Sequence, residues 1–232
     1  MLIVLAGRND LAARQCVAHW RSRGIAAELM LSADFGRRGM RLGSDAREDR
    51  IVVGSRVIAC SALAGVICRL PAVTPDELSG LHHDDRVYAA AEAHAFALAW
   101  LHKLACPVLN RPGASALVGP GWSADESVAF AARHRVQVRT VTRRAALNQK
   151  LAASAESASS VFAVDVVGDR AFGGDARAGQ IAVRFAKAAE LELLRVLFER
   201  NEAGELVLIS GDHWVDVSSA EIADAIAKRC AS

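Results

Sequence analysis

The side chains best suited to ligand chemistry follow two apolar runs of the sequence. Arg69 ends the first run, and Asn110 and Arg111 directly follow the second. In an open parallel sheet, the carboxyl ends of the strands form a crevice in which ligands bind. Two guanidinium groups that converge there would clamp a carboxylate or a phosphate. The alternative is that each arginine pairs with a nearby acid such as Glu92, and the sequence leaves both possibilities open.

Motifs for several other chemistries are absent from the sequence. It reads Ala-Gly-Arg-Asn-Asp where a dinucleotide-binding glycine motif would stand, and it contains neither a P-loop nor an H-E-x-x-H zinc motif. The His-His-Asp-Asp run at residues 82–85 places adjacent side chains in different directions, which favours a solvated helix cap over a metal site. Ser115 lacks the second glycine of a nucleophile elbow. Asp212 and His213 are neighbours in the sequence, and adjacency alone does not make a catalytic pair, so we interpret them as part of a turn.

The first third of the sequence predicts a β-α-β unit that would position Arg69. An apolar run at residues 2–6 has the pattern of a buried parallel strand. Asn9 and Asp10 can cap a helix over residues 11–23, and residues 26–31 supply the next strand. Further strand-like runs follow, at residues 51–53, 57–59 and 66–70.

The rest of the sequence predicts two helices, a boundary and a second group of strands. Helical periodicity is clear at residues 84–104, and residues 122–134 begin with Ser123 and Glu126 in capping-box register. The Ala-, Ser- and Arg-rich stretch at residues 142–160 is the best boundary. The later elements are strands at 161–167, 171–172 extending onward, 194–199 and 205–209, with a turn at 201–204 and a final helix at 218–230.

The composition of the chain limits which classes of function are possible. The chain has 232 residues, of which 52% are hydrophobic, so it can bury a substantial core. A net charge of +2 is too small to indicate a nucleic-acid or membrane-surface partner. Five cysteines without a C-x-x-C pair predict reduced thiols. The apolar start is too short for a signal peptide or a membrane helix, so we expect a cytoplasmic protein.

Three segments in succession carry a resemblance to a known family. They read VICRLPAV, DDRVYAAAEAHAFALAWLHKL and CPVLNRPGA, and VFAVDVVGDRAF follows later. Their order resembles ATP-grasp carboxylate–amine ligases of the RimK-like and microviridin type, with matches at Tyr88, Glu92, Asn110, Arg111 and Pro112. The resemblance implies an α/β fold with an N-terminal parallel-sheet, pre-ATP-grasp-like lobe at 1–120. A helix and a shortened linker at 121–160 would replace the nucleotide lid, and a reduced mixed α+β core lobe would span 161–232.

The resemblance also implies what the site should contain. The family phosphorylates a carboxylate with ATP before an amine attacks, and acids on the last core strands hold two Mg²⁺ ions. Here about twenty residues, with Lys150 as their only lysine, stand where the family has its lid. That stretch is too short for a lid of several strands, because each strand alone needs ~5–6 residues. Arginine and apolar residues stand at 195–197 in place of an acid, and the metal motif is replaced by Leu-Ile-Ser-Gly-Asp at 208–212.

We therefore expect a degenerate ATP-grasp protein that acts as a binding or partner subunit, with no nucleotide or metal cofactor. Its ligand-binding residues would be Arg69, Glu92, Asn110 and Arg111, no catalytic residue is assigned and no metal site is predicted. The ligand would be an anionic small molecule or a peptide. A dimer is expected, either of this chain alone or with an intact ATP-grasp ligase.

Two alternatives stay open. One is an active ATP-dependent carboxylate–amine ligase with a minimal site or a site completed by a partner chain. It would use Asp212, Asp216 or Glu199 for metal and Lys150 or Lys187 for phosphate. The other is an unrelated nucleotide- or sugar-binding α/β module, which predicts an uninterrupted parallel sheet through the C-terminal half.

Overall fold

The structure is a computed structural model that describes residues 1–114, 116–139, 161–201 and 203–231. Within those ranges, no helix combines the length and the apolar character that crossing a bilayer would need. Ser115, Lys150 and the boundary stretch at 142–160 lie outside the described residues, so the predictions made for them stay predictions.

The chain begins with the predicted β-α-β unit. Strand β1 spans Leu2–Ala6, helix α1 spans Leu11–Ser22 and strand β2 spans Ala27–Leu31. The Asp10 carboxylate caps α1 by accepting the Ala13 backbone N–H at 2.9 Å. β1 and β2 pair in parallel along their whole length.

The first sheet contains four parallel strands. β5 at Gly65–Cys68 pairs with the other edge of β1, and β6 at Val108–Leu109 pairs with β5, which gives the order β2-β1-β5-β6. The chain leaves β1 toward one side for β2 and returns on the other side for β5. The strand order therefore changes direction at β1, and in open sheets the carboxyl ends of the strands at such a point form the crevice in which ligands bind.

Between β2 and β5 lies a small hairpin, β3 at Arg50–Val53 and β4 at Arg56–Ala59. Helix α2 spans Arg86–Lys103, close to the predicted 84–104. Its buried residues share one apolar cluster with Ile3 and Leu5, so α2 covers one face of the first sheet. Helix α1 covers the opposite face.

The second sheet is antiparallel. Its order is β10-β9-β7-β8, built from the strands Phe162–Val167 (β7), Arg170–Phe172 (β8), Leu193–Arg200 (β9) and Leu206–Asp212 (β10). The predicted hairpin between the last two strands is confirmed, with a bulge between Leu208 and Ser210. This antiparallel arrangement rules out the alternative with an uninterrupted parallel sheet.

One helix of the second lobe was not predicted. Helix α4 spans Ala176–Ala188, with Asp175 as its N-cap, where the sequence analysis extended the strand that begins at Ala171. The strand in fact ends at Phe172, so that prediction is wrong. Phe185 of α4 lies fully buried among side chains from one face of the second sheet.

Helix α3, at Ala124–Arg133, begins as the sequence predicts. The Ser123 hydroxyl accepts the Glu126 N–H, and the Glu126 carboxylate accepts the Ser123 N–H at 2.8 Å. α3 packs on the same face of the second sheet as α4. Just beyond it, Val138 bridges in parallel to Leu208 of β10.

The last helix, α5 at Ala220–Ala231, returns to the first lobe. The buried Trp20 indole donates to the Ala223 carbonyl at 2.9 Å. Cys230 lies so close to Gly65 that a Cβ there would stand 2.5 Å from its Sγ. Glycine is therefore required for this contact between α5 and β5. The division of the chain at 120 and 160 stays a prediction, and α5 packs against both lobes, since it also contacts β7 of the second sheet.

Candidate functional site

Arg69 follows β5 and is only 6% exposed. Its Nε donates to Asp10 at 2.7 Å, one guanidinium nitrogen donates to the Val215 carbonyl at 3.0 Å, and the group lies 5.0 Å from the Trp214 ring centroid. An acid does pair with Arg69, as the alternative in the sequence analysis proposed, but that acid is Asp10 and not Glu92. The guanidinium thus joins the helix start in the first lobe to the segment after β10.

Asn110 also joins the two lobes. Its backbone adopts a left-handed conformation with φ of 58°, and its side chain is buried. The amide nitrogen donates to the Leu193 carbonyl at 2.7 Å, and the amide oxygen accepts the N–H groups of Glu192 and Leu193, each at 2.9 Å. All three bonds attach the end of β6 to the start of β9.

Arg111 takes a third position, at the carboxyl end of α2. Its guanidinium donates to the carbonyls of Leu101 and Leu104 at 3.3 and 3.2 Å. Terminal helix carbonyls lack partners within the helix, and a cation there also favours the helix dipole. The side chains of Arg69, Asn110 and Arg111 thus bond to three different parts of the fold: the start of α1, the start of β9 and the end of α2. Their binding role stays a prediction.

A second buried ion pair lies on β7 and β9. Asp165, 6% exposed, faces Arg195 across the sheet and accepts two hydrogen bonds from it, at 2.7 and 2.6 Å. This bidentate bond raises the pKa of Arg195. Asp212 on β10 stands opposite Arg195 in register, and burial raises the pKa of that carboxyl group. The Asp216 N–H donates to Asp165 at 3.4 Å.

His213 lies between these two ion pairs. Its Nε2 is buried and has no hydrogen-bond partner among the described residues. Burial, followed by the positive charge of Arg69, lowers the pKa of His213 to about 4. The neighbouring Asp212 carboxylate accepts the Trp214 N–H at 2.7 Å instead of an imidazole N–H. Asp212 is the last residue of β10, and His213 lies in the bend that follows the strand, where the sequence predicts a turn.

A cavity of about 860 Å³ opens near the carboxyl ends of β1 and β2. Its walls come from the loops after these strands, from the turn at residues 77–81 and from the first half of α2. Arg8, Glu77, Tyr88 and Glu92 supply much of its polar lining. The structure therefore places Glu92 here, apart from the other three predicted residues. The same strand-end rule that singled out Arg69 could have indicated Arg8, which follows β1 in the same way.

The other candidate metal and phosphate residues are dispersed. Among the residues that the structure describes, no group of three or more histidines, cysteines or acids has an arrangement that could hold a metal ion. His82 and His83 are exposed at the helix start, as the sequence predicts. Glu199 forms an ion pair with Arg139 at 3.4 Å, and Lys187 is exposed on the last turn of α4.

Comparison with known proteins gives a clear result at the level of fold. The ATP-grasp ligase PsnB, solved with a minimal precursor, Mg and ADP, superposes with a TM-score of 0.70 at 15% identity over 100% of this chain and 98% of that chain. The chain has a fold similar to that of ATP-grasp ligases. The predicted α/β class, with a parallel sheet and a mixed second lobe, is confirmed.

Further ATP-grasp structures agree. The macrocyclase MdnC of Microcystis aeruginosa MRC, bound with the precursor peptide MdnA, gives a TM-score of 0.66 at 9% identity over 98% of this chain and 100% of that one. A Chryseobacterium gregarium RiPP-associated ATP-grasp ligase, in complex with ADP and a leader and core peptide, gives a TM-score of 0.66 at 7% identity. The superposition covers 99% of this chain and 96% of that chain. No protein-family model and no curated protein matches the sequence.

Proposed function

We propose that this ATP-grasp-fold chain is a degenerate, non-catalytic binding or partner subunit that holds a peptide or another anionic ligand without activating it with ATP. The observation that carries the proposal is the ion pair between Arg195 and Asp165. The family resemblance places metal-holding acids on the last core strands, and an arginine stands on β9 there. Its two hydrogen bonds occupy both oxygens of the buried carboxylate.

Electrostatics explain why this pair disfavours magnesium. Mg²⁺ needs carboxylate oxygens as ligands, and those of Asp165 already have a cation beside them. Two unit charges 4 Å apart near a protein surface repel by about 4 kcal/mol, and a divalent ion roughly doubles that. Asp212 faces the same guanidinium across β9 and β10. The residues of this cluster therefore do not suit a pair of magnesium ions.

The peptide ligand is proposed from the solved neighbours. PsnB has been solved with the precursor peptide PsnA2, and MdnC with MdnA. These proteins have the same fold as this chain and are described as binding precursor peptides. The shortened linker supports the loss of ATP use on sequence grounds alone, since residues 140–160 lie outside the described residues.

Calorimetric titration of MgATP into the purified full-length chain tests this function. We expect a dissociation constant weaker than about 1 mM, which corresponds to about −4 kcal/mol. PsnB, measured in the same buffer, serves as the positive control. Magnesium-dependent binding in the micromolar range would overturn the proposal.

The alternative function is an active ATP-dependent carboxylate–amine ligase with a minimal site or one completed by a partner chain. It is favoured by the neighbours solved with ADP and Mg and by the position of Asp212 and Asp216 close to Asp165. This alternative predicts amine-dependent release of ADP. Lys150→Ala should abolish that release, whereas Lys228→Ala, at an exposed position on α5, should not.

Assembly and location complete the proposal. We propose a dimer, formed by two copies of this chain or with an intact ATP-grasp ligase, and sedimentation with and without such a ligase distinguishes the two. All five cysteines are unpaired, and four of them are buried. Unpaired thiols suit a reducing compartment, which supports the cytoplasmic location that the sequence predicts.

A further inference from the structure

We infer that the cavity beside α2 binds a short peptide segment with an apolar centre, an acidic group and a basic group. This inference rests on the proposed function, because it assigns a site to the peptide. The cavity lies near the carboxyl ends of two parallel strands, where open α/β sheets bind ligands. Its volume of about 860 Å³ lies near the top of the ~300–1,000 Å³ range of ligand sites, which suits several linked side chains.

The apolar part of the lining includes three aromatic side chains. Phe35 and Phe96 meet edge to face, with ring centroids 5.9 Å apart, and both line the cavity. Tyr88, one turn before Glu92 on α2, is 72% exposed, and Leu81 beside the cavity is also exposed. Exposed aromatic and aliphatic side chains beside a concave surface are typical of sites that hold apolar side chains of a partner.

Arg8 supplies the positive charge. Its guanidinium donates to the Ser79 hydroxyl at 2.7 Å, and no carboxylate within the described residues forms an ion pair with it. The nearby acid, Glu77, accepts instead from the Ser32 hydroxyl at 2.8 Å and from the Arg8 backbone N–H at 3.3 Å. An arginine in this position can take a ligand carboxylate in bidentate form.

Glu92, on α2, supplies the negative charge. It is exposed, and within the described ranges it has neither a hydrogen bond nor an ion pair. The other arginine in the lining, Arg37, already pairs with the buried Asp34. Apart from Glu77, whose carboxylate accepts the two hydrogen bonds given above, the cavity offers one side chain of each sign without an ion pair among the described residues, Arg8 and Glu92. This charge pattern matches a peptide with an acidic and a basic group, and a simple anion would leave Glu92 unmatched.

Fluorescence anisotropy tests the site with a labelled five-residue peptide that has an aromatic centre, one glutamate and one lysine. We expect saturable binding to the full chain. Arg8→Gln should weaken it about tenfold or more, whereas Arg38→Gln, at an exposed position that does not line the cavity, should change it less than about twofold. With a peptide whose glutamate is replaced by glutamine, Arg8→Gln should have little further effect.

A steric variant tests the cavity independently of charge. Ala89 lines the cavity from α2, so Ala89→Phe should reduce binding, while Ala91→Phe, on the same helix but exposed and outside the lining, should not. Thermal melts of each variant confirm the fold. Peptide binding that ignores Arg8→Gln and Ala89→Phe overturns this site but leaves the proposed function intact. Absence of any peptide binding overturns the site, and tight MgATP binding overturns only the proposed function.

Discussion

At the scale of single residues, each charged side chain that lies buried among the described residues has a partner of opposite charge. Arg69 pairs with Asp10, and Arg195 pairs with Asp165. Between them His213 stays neutral, because burial and the charge of Arg69 oppose its protonation. An imidazole whose buried Nε2 has no hydrogen-bond partner among the described residues, close to an arginine, is a source of acid sensitivity.

His213 should make the folded state sensitive to acid over a defined range. Its pKa falls from 6.5 to about 4 on folding, so the unfolded chain binds the proton more readily. Stability is therefore fully present above pH 6.5 and is lost as the pH falls toward 4. Since the side chain is partly exposed, we expect a loss of about 1–2 kcal/mol. Urea unfolding at several pH values between 7 and 4 measures it.

Two variants isolate this contribution. His213→Gln should flatten the dependence of unfolding free energy on pH, while His82→Gln, which removes an exposed imidazole, should leave it unchanged. Equal pH slopes for the wild type and His213→Gln would show that folding does not shift the pKa of this imidazole.

Residue chemistry was predictable from the sequence, but residue partners were not. The strand-end rule singled out Arg69 and Asn110 as ligand-binding candidates, a role that stays a prediction, and in the structure both are buried. Their partners, Asp10 and the start of β9, lie 59 and 83 positions away. Only the tertiary fold brings them together, so one sequence cannot distinguish a ligand clamp from an internal bond.

At the scale of elements, local signals explain which predictions held. The hairpin between β9 and β10 and the start of α3 depend on turn and capping residues within a few positions, and both were confirmed. Helix α4 was missed because Gly179 interrupts its pattern. A Cβ at that position would stand 3.2 Å from the Ala171 Cβ, so the glycine permits close packing on β8. That need comes from tertiary contact, which propensity does not express.

Ser123→Ala should destabilise the start of α3. The substitution removes the hydroxyl that accepts the Glu126 N–H, and loss of an N-cap costs about 1 kcal/mol. Hydrogen exchange of the first α3 amides should quicken, and urea unfolding should report the loss. Ser123→Asp, which keeps a capping oxygen, should restore most of it. Ser55→Ala, in the exposed β3–β4 turn, is the control; an equal effect there would mean that the cap contributes nothing specific.

At the scale of the whole molecule, the two lobes are joined by polar bonds at the strand ends and by α5. Asn110 bonds β6 to β9, Arg69 reaches the Val215 carbonyl, and the Trp20 indole bonds α5. In the ATP-grasp fold of this chain, the strand ends of the first sheet are therefore used for cohesion near β5 and β6 and stay open as a cavity near β1 and β2.

Among these bonds between the lobes, we expect those of the Asn110 amide to contribute most to the stability of the protein. Asn110→Ala leaves the Leu193 carbonyl and two N–H groups without their partners, and it places alanine at a φ of 58°. Each of the three unsatisfied buried groups costs at least about 1 kcal/mol, and the left-handed backbone adds roughly 1 kcal/mol, so we expect a loss of about 4 kcal/mol or more. Denaturant unfolding, with hydrogen exchange at the Leu193 amide, measures it.

Asn110→Gly separates the side-chain bonds from the backbone conformation. Glycine adopts positive φ without strain, so this variant should recover only about 1 kcal/mol of the loss seen with alanine. Asn9→Ala, at an exposed position before α1, is the matched control and should be close to neutral. If Asn110→Gly restored full stability, the backbone conformation alone would matter. The three hydrogen bonds would then contribute nothing to holding the lobes together.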